Sequence, residues 1–318
     1  MEGTLISLDN PVVCVVGPTA SGKTALAQRV AELLDGEVVS ADSMQIYRGM
    51  DIGTGKILPA ERTVPYWGLD LAEPGEPYSA ALFQGYARAA FEDVDARGKR
   101  SVLCGGTGLY VRAAIDDYRF PKGEQVDNEV RDRYAALARD IGNQALWERL
   151  RAADPNSAAL IHPNNVRRVI RAFELLDEGT TYARVNAGLK TMAQAVPAVF
   201  LGLSVDPAVL NARIDARVDQ MLADGLVEEV RSLLRAGFRE GLTAPQAIGY
   251  KEVVAALEGA CSLDDAVAQI KIATHRYAKR QRTWFRKDER IHWIDANDAN
   301  VEEMTRQALG IIASAERA

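Results

Sequence analysis

Eight residues near the start of the chain, Gly17-Pro18-Thr19-Ala20-Ser21-Gly22-Lys23-Thr24, have the types and spacing of a phosphate cradle. Two glycines let the backbone wrap an anion so that successive amides point inward. Lys23 adds a mobile positive charge, and the Thr24 hydroxyl can ligate Mg²⁺. This is a nucleotide-binding loop of the ATP-binding type, and it suits any polyphosphate. A kinase or ATPase built on such a loop has a second strand ending in Asp, which organises the metal. Here the strand over Ser101–Cys104 runs into Gly105-Gly106-Thr107-Gly108 and has no acid there. The acid follows the second strand instead, as Asp42 in Ser40-Ala41-Asp42-Ser43-Met44-Gln45. Its position fits two roles equally, the N-cap of a short helix from Ser43 or a carboxylate facing the phosphates at the strands' carboxyl rim.

The elements around these residues set the fold class. Val12–Val16 is a β-branched run before the loop, and Leu26, Val30, Leu33 and Leu34 give the following Ala25–Leu34 a helical period. Further strands are predicted at Glu37–Ser40, Tyr66–Leu71, Ser101–Cys104, Val199–Leu203 and His292–Ile294, with a helix over Ser79–Ala96. The alternation predicts an α/β, P-loop NTPase-like core with a parallel sheet. From about Asn128 to Leu176 the pattern is helical, broken at Gly142, Asp154-Pro155 and His162-Pro163. We therefore expect an all-helical insertion domain over 123–195, inside a core made of 1–122 and 196–318.

Composition narrows the function classes. The chain has 318 residues, 47% hydrophobic and 26% charged, with a formal net charge of −6. That excludes a uniformly basic nucleic-acid coat but permits a local basic patch. Cys14, Cys104 and Cys261 are too far apart for a disulfide framework or a zinc motif. No apolar run approaches the ~20 residues of a membrane helix, and Met1–Asn10 lacks a signal peptide's basic start and apolar core. The expectation is a cytoplasmic enzyme, monomeric and without a membrane.

Several blocks in order carry a resemblance. GPTASGKT at 17–24 is followed by ADSMQIYRGMDIGTGK at 41–56, GGTGLY at 105–110, HPNNVRRVIRAFE at 162–174, AIGYKE at 247–252 and THRYAKRQRTWFR at 274–286. Together they resemble the bacterial tRNA dimethylallyltransferases (tRNA isopentenyltransferases). The resemblance implies transfer of a dimethylallyl group from dimethylallyl diphosphate to the exocyclic N6 amine of the adenosine 3′ of the anticodon. The loop, residues Gly17 to Thr24, would then hold the leaving diphosphate with Mg²⁺ on Thr24, and Asp42 would be the general base. Thr107 would sit near the reacting amine and Arg217 would neutralise diphosphate beside Lys23. Ser43, Met44 and Gln45 would contact the target nucleotide with Asp42. For Thr107 a turn hydroxyl bonding local backbone is the alternative. Arg217 lies beside the stripe Leu210, Ile214, Val218, Met221, where an Arg needs an anionic partner, either a ligand or a structural acid.

The RNA side is legible as charge. From His275 to Arg290 seven basic residues face two acids, a local net of +5 that leaves −11 on the rest. Arg276, Arg280, Thr283 and Lys287 share helical spacing as a basic stripe, whereas Val267, Ile270, Thr274, Tyr277 and Trp284 form a largely apolar face. A basic stripe on an acidic protein is the footprint of a phosphate backbone. With the resemblance, Arg276, Lys279, Arg280 and Arg282 are expected to contact tRNA. So are Arg131 and the run Arg167, Arg168, Val169, Ile170 and Arg171, the insertion gripping the anticodon stem-loop. The rival readings are a small-molecule kinase with ATP on the loop, and an RNA-binding protein that uses the loop as a nucleotide switch.

Overall fold

A computed structural model describes residues 6–118, 120, 129–188, 192–298 and 300–317. The α/β unit comprises Met1–Asp116 and Gln194–Ala318, and the helical unit Asp117–Ala193. The division falls at Asp116 because the Ile115 carbonyl accepts from both Ala195 and Val196 N–H (2.8 and 3.0 Å), which ends the α/β unit there. The sequence-based boundary at 123 lies outside the described residues.

Six parallel strands form one sheet in the order β3-β2-β4-β1-β5-β6. They are β1 (Val12–Val16), β2 (Gly36–Ser40), β3 (Tyr66–Trp67), β4 (Arg100–Gly105), β5 (Ala198–Ser204) and β6 (Ile291–Asp295). Every residue of β1, β2 and β4 is buried, which explains the apolar runs Val12–Val16, Val38–Val39 and Val102–Cys104 within them. The helix α1 (Lys23–Leu33) buries Leu26, Ala27, Val30 and Ala31 on β2 and β4. The helix over Ala80–Ala96, α2, begins where Ser79 accepts the Leu82 N–H, and α3 (Gly108–Ile115) follows β4. The third strand stops at Trp67 rather than Leu71. Gly68 and Asp70 take positive φ, and the amides of Leu71 and Ala72 turn to the Ile46 carbonyl instead of a strand partner.

After β5 come α9 (Pro207–Ala223), α10 (Leu226–Arg235), α11 (Tyr250–Leu257) and the long α12 (Leu263–Phe285). The chain ends with β6 and α13 (Val301–Ala315). Among the described residues no helix is long and apolar enough to cross a membrane.

The helical unit contains α4 (Glu129–Ile141), α5 (Asn143–Ala153), α6 (Pro155–Ala159), α7 (Val166–Asp177) and α8 (Tyr182–Gly188). Asp154 caps α6 through the Ser157 N–H (3.1 Å), so the Asp-Pro break is a helix start. Leu146, Leu150, Ile161, Val169, Ile170 and Phe173 make its core. This corrects part of the expected RNA contact. Val169 is 0% and Ile170 8% exposed, so their side chains serve packing. Two of the expected RNA arginines are committed as well: Arg131 and Arg171 pair with Glu174 (2.6 and 2.7 Å), which is 2% exposed. Arg167 and Arg168 are exposed.

Burial raises the Glu174 pKa, but hydrogen bonds from Arg131 and Arg171 outweigh it and hold the carboxyl below its usual range. A lowered folded-state pKa gives stability that is complete above the unfolded value and lost as pH falls through the folded one. The double variant R131A/R171A strands a buried charge and is expected to destabilise this unit by about 3–5 kcal/mol. Amide exchange across 129–188 should accelerate accordingly, and acid should open the wild-type unit. Unchanged exchange in the variant would return both arginines to the RNA-facing surface.

Candidate active site

Three neighbouring strands, β2, β4 and β1, deliver the site at their carboxyl ends. After β1 the loop turns through Gly22, whose φ of 92° places it in the left-handed region. Ala20, with φ of 61°, holds the same region without being glycine, a strain that cradles of this kind sustain. Lys23 Nζ donates to the Pro18 carbonyl at 2.5 Å. Burial pulls the Lys23 pKa down to about 8, opposed by the Cys104 thiol and the Asp42 carboxylate and assisted by the Arg217 charge. An arriving phosphate would favour the charged ammonium.

After β2, Asp42 Oδ1 accepts the Met44 N–H at 2.9 Å. Residues 43–46 form a turn rather than a helix, so Asp42 does partly what a cap does. Its Oδ2 makes no hydrogen bond among the described residues, and Asp42 lines the cavity. After β4, Thr107 Oγ1 accepts the Ser43 N–H at 3.2 Å, and its carbonyl accepts from Tyr110 and Val111 at the start of α3. Thr107 therefore ties the β4 loop to the Asp42 turn. Gln45 is held from both ends, accepting from Ser40 Oγ (2.9 Å) and donating to the Thr54 and Gly55 carbonyls (both 3.3 Å).

Arg217 reaches the same cavity from α9. It forms no ion pair among the described residues, and burial lowers its pKa against the opposing pull of Asp42. Its guanidinium packs on the Gly55 backbone. A Cβ at Gly55 would lie 1.5 Å from Arg217 Nη2, so a side chain here would displace the guanidinium, and the φ of 59° would strain it besides. Of the two partners the stripe allowed, the structural acid is absent among the described residues.

Sequence reasoning missed Gln281. It is 5% exposed, accepts the Thr19 N–H (2.9 Å) and donates to the Gly106 carbonyl (2.9 Å), joining the loops after β1 and β4. The signal was available: Gln281 follows Tyr277 by four on the face carrying Ile270 and Thr274, and all four line the cavity. Burial pushes the Tyr277 hydroxyl up to about 12, Asp42 adding to it and hydrogen bonds with Thr107 and Gln281 opposing it. Trp284 leaves that face. It is 41% exposed and lines a second, outward groove of about 480 Å³ with Arg276, Lys279, Arg280, Thr283 and Lys287.

The main cavity, about 340 Å³, thus has a cationic end at Lys23, Thr24 and Arg217 and a carboxylate at Asp42. Ile214, Val218, Met221, Ile248 and Ile270 form an apolar wall. Arg280 lines both cavity and groove. Arg276, Lys279, Arg280 and Lys287 are exposed, and Arg282 is half-buried. Arg290 is not part of the free charge, because it pairs with Asp288 and with the buried Asp116, each at 2.6 Å.

The arrangement can hold a polyphosphate, take a proton beside it and shelter an apolar group. The chain was compared with known proteins on this basis. A family model described as IPP transferase matches residues 45–288, and one described as isopentenyl transferase matches 10–64. The chain is 47% identical over 306 residues to the tRNA dimethylallyltransferase of Geobacillus thermodenitrificans, covering 94% of this chain and 96% of that one. The crystal structure of the full-length tRNA isopentenylpyrophosphate transferase of Bacillus halodurans superposes with a TM-score of 0.70 at 39% identity, covering 97% and 99% of the two chains. A eukaryotic dimethylallyltransferase crystallised acting on tRNA gives 0.78 at 27% identity, over 95% of this chain and 78% of that one. By model match and by identity along nearly its whole length, the chain belongs to the IPP transferase family.

Proposed function

We propose that the chain transfers the dimethylallyl group of dimethylallyl diphosphate to the N6 amine of the adenosine 3′-adjacent to the anticodon in tRNA, releasing diphosphate. One observation carries this reading. Among the described residues Lys23 and Arg217 have no acid partner, and they share a cavity with an Asp42 oxygen free of hydrogen bonds and with an apolar wall. A kinase needs the cationic end and the base, but has no use for an aliphatic wall facing them.

In this reading the diphosphate lies on the amides of Gly17 to Thr24, with Lys23 and Arg217 taking up charge as the carbon–oxygen bond breaks. The prenyl chain rests on Ile214, Val218 and Met221. The adenine amine enters beside Asp42, forms the new carbon–nitrogen bond and loses its proton to Oδ2. Thr107 and Gln45 hold the turn that aims this oxygen. Among the described residues no three His, Cys, Asp or Glu side chains converge on a metal position. The donor set instead fits a cation bound mainly by substrate oxygens and water, with Thr24 as the one protein ligand, which suits Mg²⁺. Such an ion would supply further neutralisation of the leaving diphosphate. The exposed cations of α12 track the tRNA backbone, and a loop base can leave its stack at a cost of roughly a few kcal/mol. The reading takes a single chain as the working unit.

The test incubates purified protein with Mg²⁺, dimethylallyl diphosphate and an unmodified tRNA that has adenine 3′ of the anticodon, then analyses nucleosides by mass spectrometry. Adenosine should gain one dimethylallyl group, and only with the diphosphate present. No gain on several such tRNAs with folded protein, together with stronger thermal stabilisation by ATP than by dimethylallyl diphosphate, would put the kinase reading first.

A further inference from the structure

The segment Asp51-Ile52-Gly53-Thr54-Gly55 lies between the Asp42 turn and α9, and two features of the cavity depend on its backbone. Gln45 donates to the Thr54 and Gly55 carbonyls, and Arg217 is seated on Gly55. The segment has little regular structure of its own. It contains the Gly55 N–H to Ile52 carbonyl bond (3.0 Å) and the Thr54 Oγ1 to Met50 carbonyl bond (2.6 Å).

Lys56 holds its start through Asp51 Oδ1 (2.6 Å), and a carboxylate from another element gathers its amides. On α10, Glu229 Oε2 accepts the N–H groups of Asp51 (3.0 Å) and Ile52 (2.7 Å), and Oε1 accepts the Gly53 N–H (3.1 Å). Tyr250, buried at the start of α11, donates its hydroxyl to Oε1 at 2.6 Å. Three successive amides converging on one anion form a nest. Only a carboxylate offers acceptors enough for four donors, whereas a carboxamide would turn an NH₂ toward two of them. The ring of Tyr250 also lies against Gly53, where a Cβ would sit 2.5 Å from it.

We propose that Glu229 is a positioning residue for the active site. It clamps residues 51–53 so that Gly55 seats the Arg217 guanidinium toward the anion and the Thr54 and Gly55 carbonyls hold Gln45. It touches no substrate, and it acts through Arg217 on the diphosphate end of the site. The inference rests on the assignment of that end as a diphosphate site.

The experiment is a double-mutant cycle on binding of inorganic diphosphate, measured by calorimetry with wild type, E229Q, R217A and E229Q/R217A. The E229Q dissociation constant should rise roughly tenfold, and the double variant should bind no more weakly than R217A. With dimethylallyl diphosphate as donor, the E229Q loss should likewise fall mainly on KM. Y250F, which removes one of the four donors and leaves the carboxylate, should show a smaller change of the same sign; it serves if E229Q does not fold. Independent, multiplicative losses in the double variant, or wild-type binding in both E229Q and Y250F, would reduce Glu229 to a stability element. Diphosphate binding that couples as expected without any prenyl transfer would overturn the proposed reaction while sustaining the clamp. No diphosphate binding by the wild type would overturn both.

Discussion

Asp42→Asn is expected to lower turnover by about 10²- to 10⁴-fold, as much as Asp42→Ala, while diphosphate binding tightens. The two effects separate because the two carboxylate oxygens have separate tasks. Oδ1 accepts the Met44 N–H and shapes the turn, and an Asn carbonyl can do the same. Oδ2 has no partner among the described residues, and an amide nitrogen in its place cannot accept a proton. Asn thus preserves the local backbone and removes the base. Affinity moves the other way because the Asp42 charge opposes an incoming anion while it offsets the burial of Lys23 and Arg217. Single-turnover kinetics with calorimetry of diphosphate on the same samples decides the matter. Retained turnover in Asp42→Asn with loss in Asp42→Ala would make Asp42 a turn-former and nothing more.

The parts of this site differ in how openly the sequence displays them. The phosphate loop is a contiguous octet, so its function and its place after β1 can be read from local text. Asp42 was ambiguous because its position allows two tasks, and its two oxygens are placed differently: Oδ1 accepts the Met44 N–H, and Oδ2 has no partner among the described residues. Arg217 could be placed beside a buried stripe, but its missing acid partner is a fact of tertiary packing. Glu229 gave no signal. Its partners are backbone amides, which no side-chain pattern announces, and they lie more than 170 positions away. Gln281 was hidden for a similar reason: a helix face read by hydropathy discounts an amide whose two ends reach loops distant in sequence. The arginines of the helical unit show what charge alone does not display. Arg131 and Arg171 look like RNA contacts as charge, yet Glu174 draws both into structural pairs. Val169 and Ile170 fell within a motif whose helix turns them inward. The sheet was legible because buried parallel strands read as apolar runs. β3 was overextended where a β-like text turns back at Gly68 and Asp70.

Arg217→Met should make the ligand-free protein more stable and a far poorer catalyst. Arg217 has no acid partner among the described residues, and burial already lowers its pKa, so the folded state carries an underscreened cation. Methionine fills a similar volume beside the apolar wall of the cavity and relieves that cost. The unfolding temperature should rise by roughly 2–4 °C for each kcal/mol recovered. Donor kcat/KM should fall by about 10²- to 10³-fold, the usual loss when one group stabilising the developing charge is removed. Lysine should rescue it poorly, because the guanidinium sits close on Gly55 and an ammonium lacks its forked donors. Saturating diphosphate should narrow or reverse the stability order, since wild type gains more from a ligand it binds more tightly. Thermal unfolding of both proteins with and without diphosphate tests this directly. If Arg217→Met melts lower than wild type without ligand and keeps its donor kinetics, Arg217 is a packing residue and the anion must be held by the loop alone. A protein that tolerates an unpaired charge here gives up stability at a site where only a bound anion can restore it.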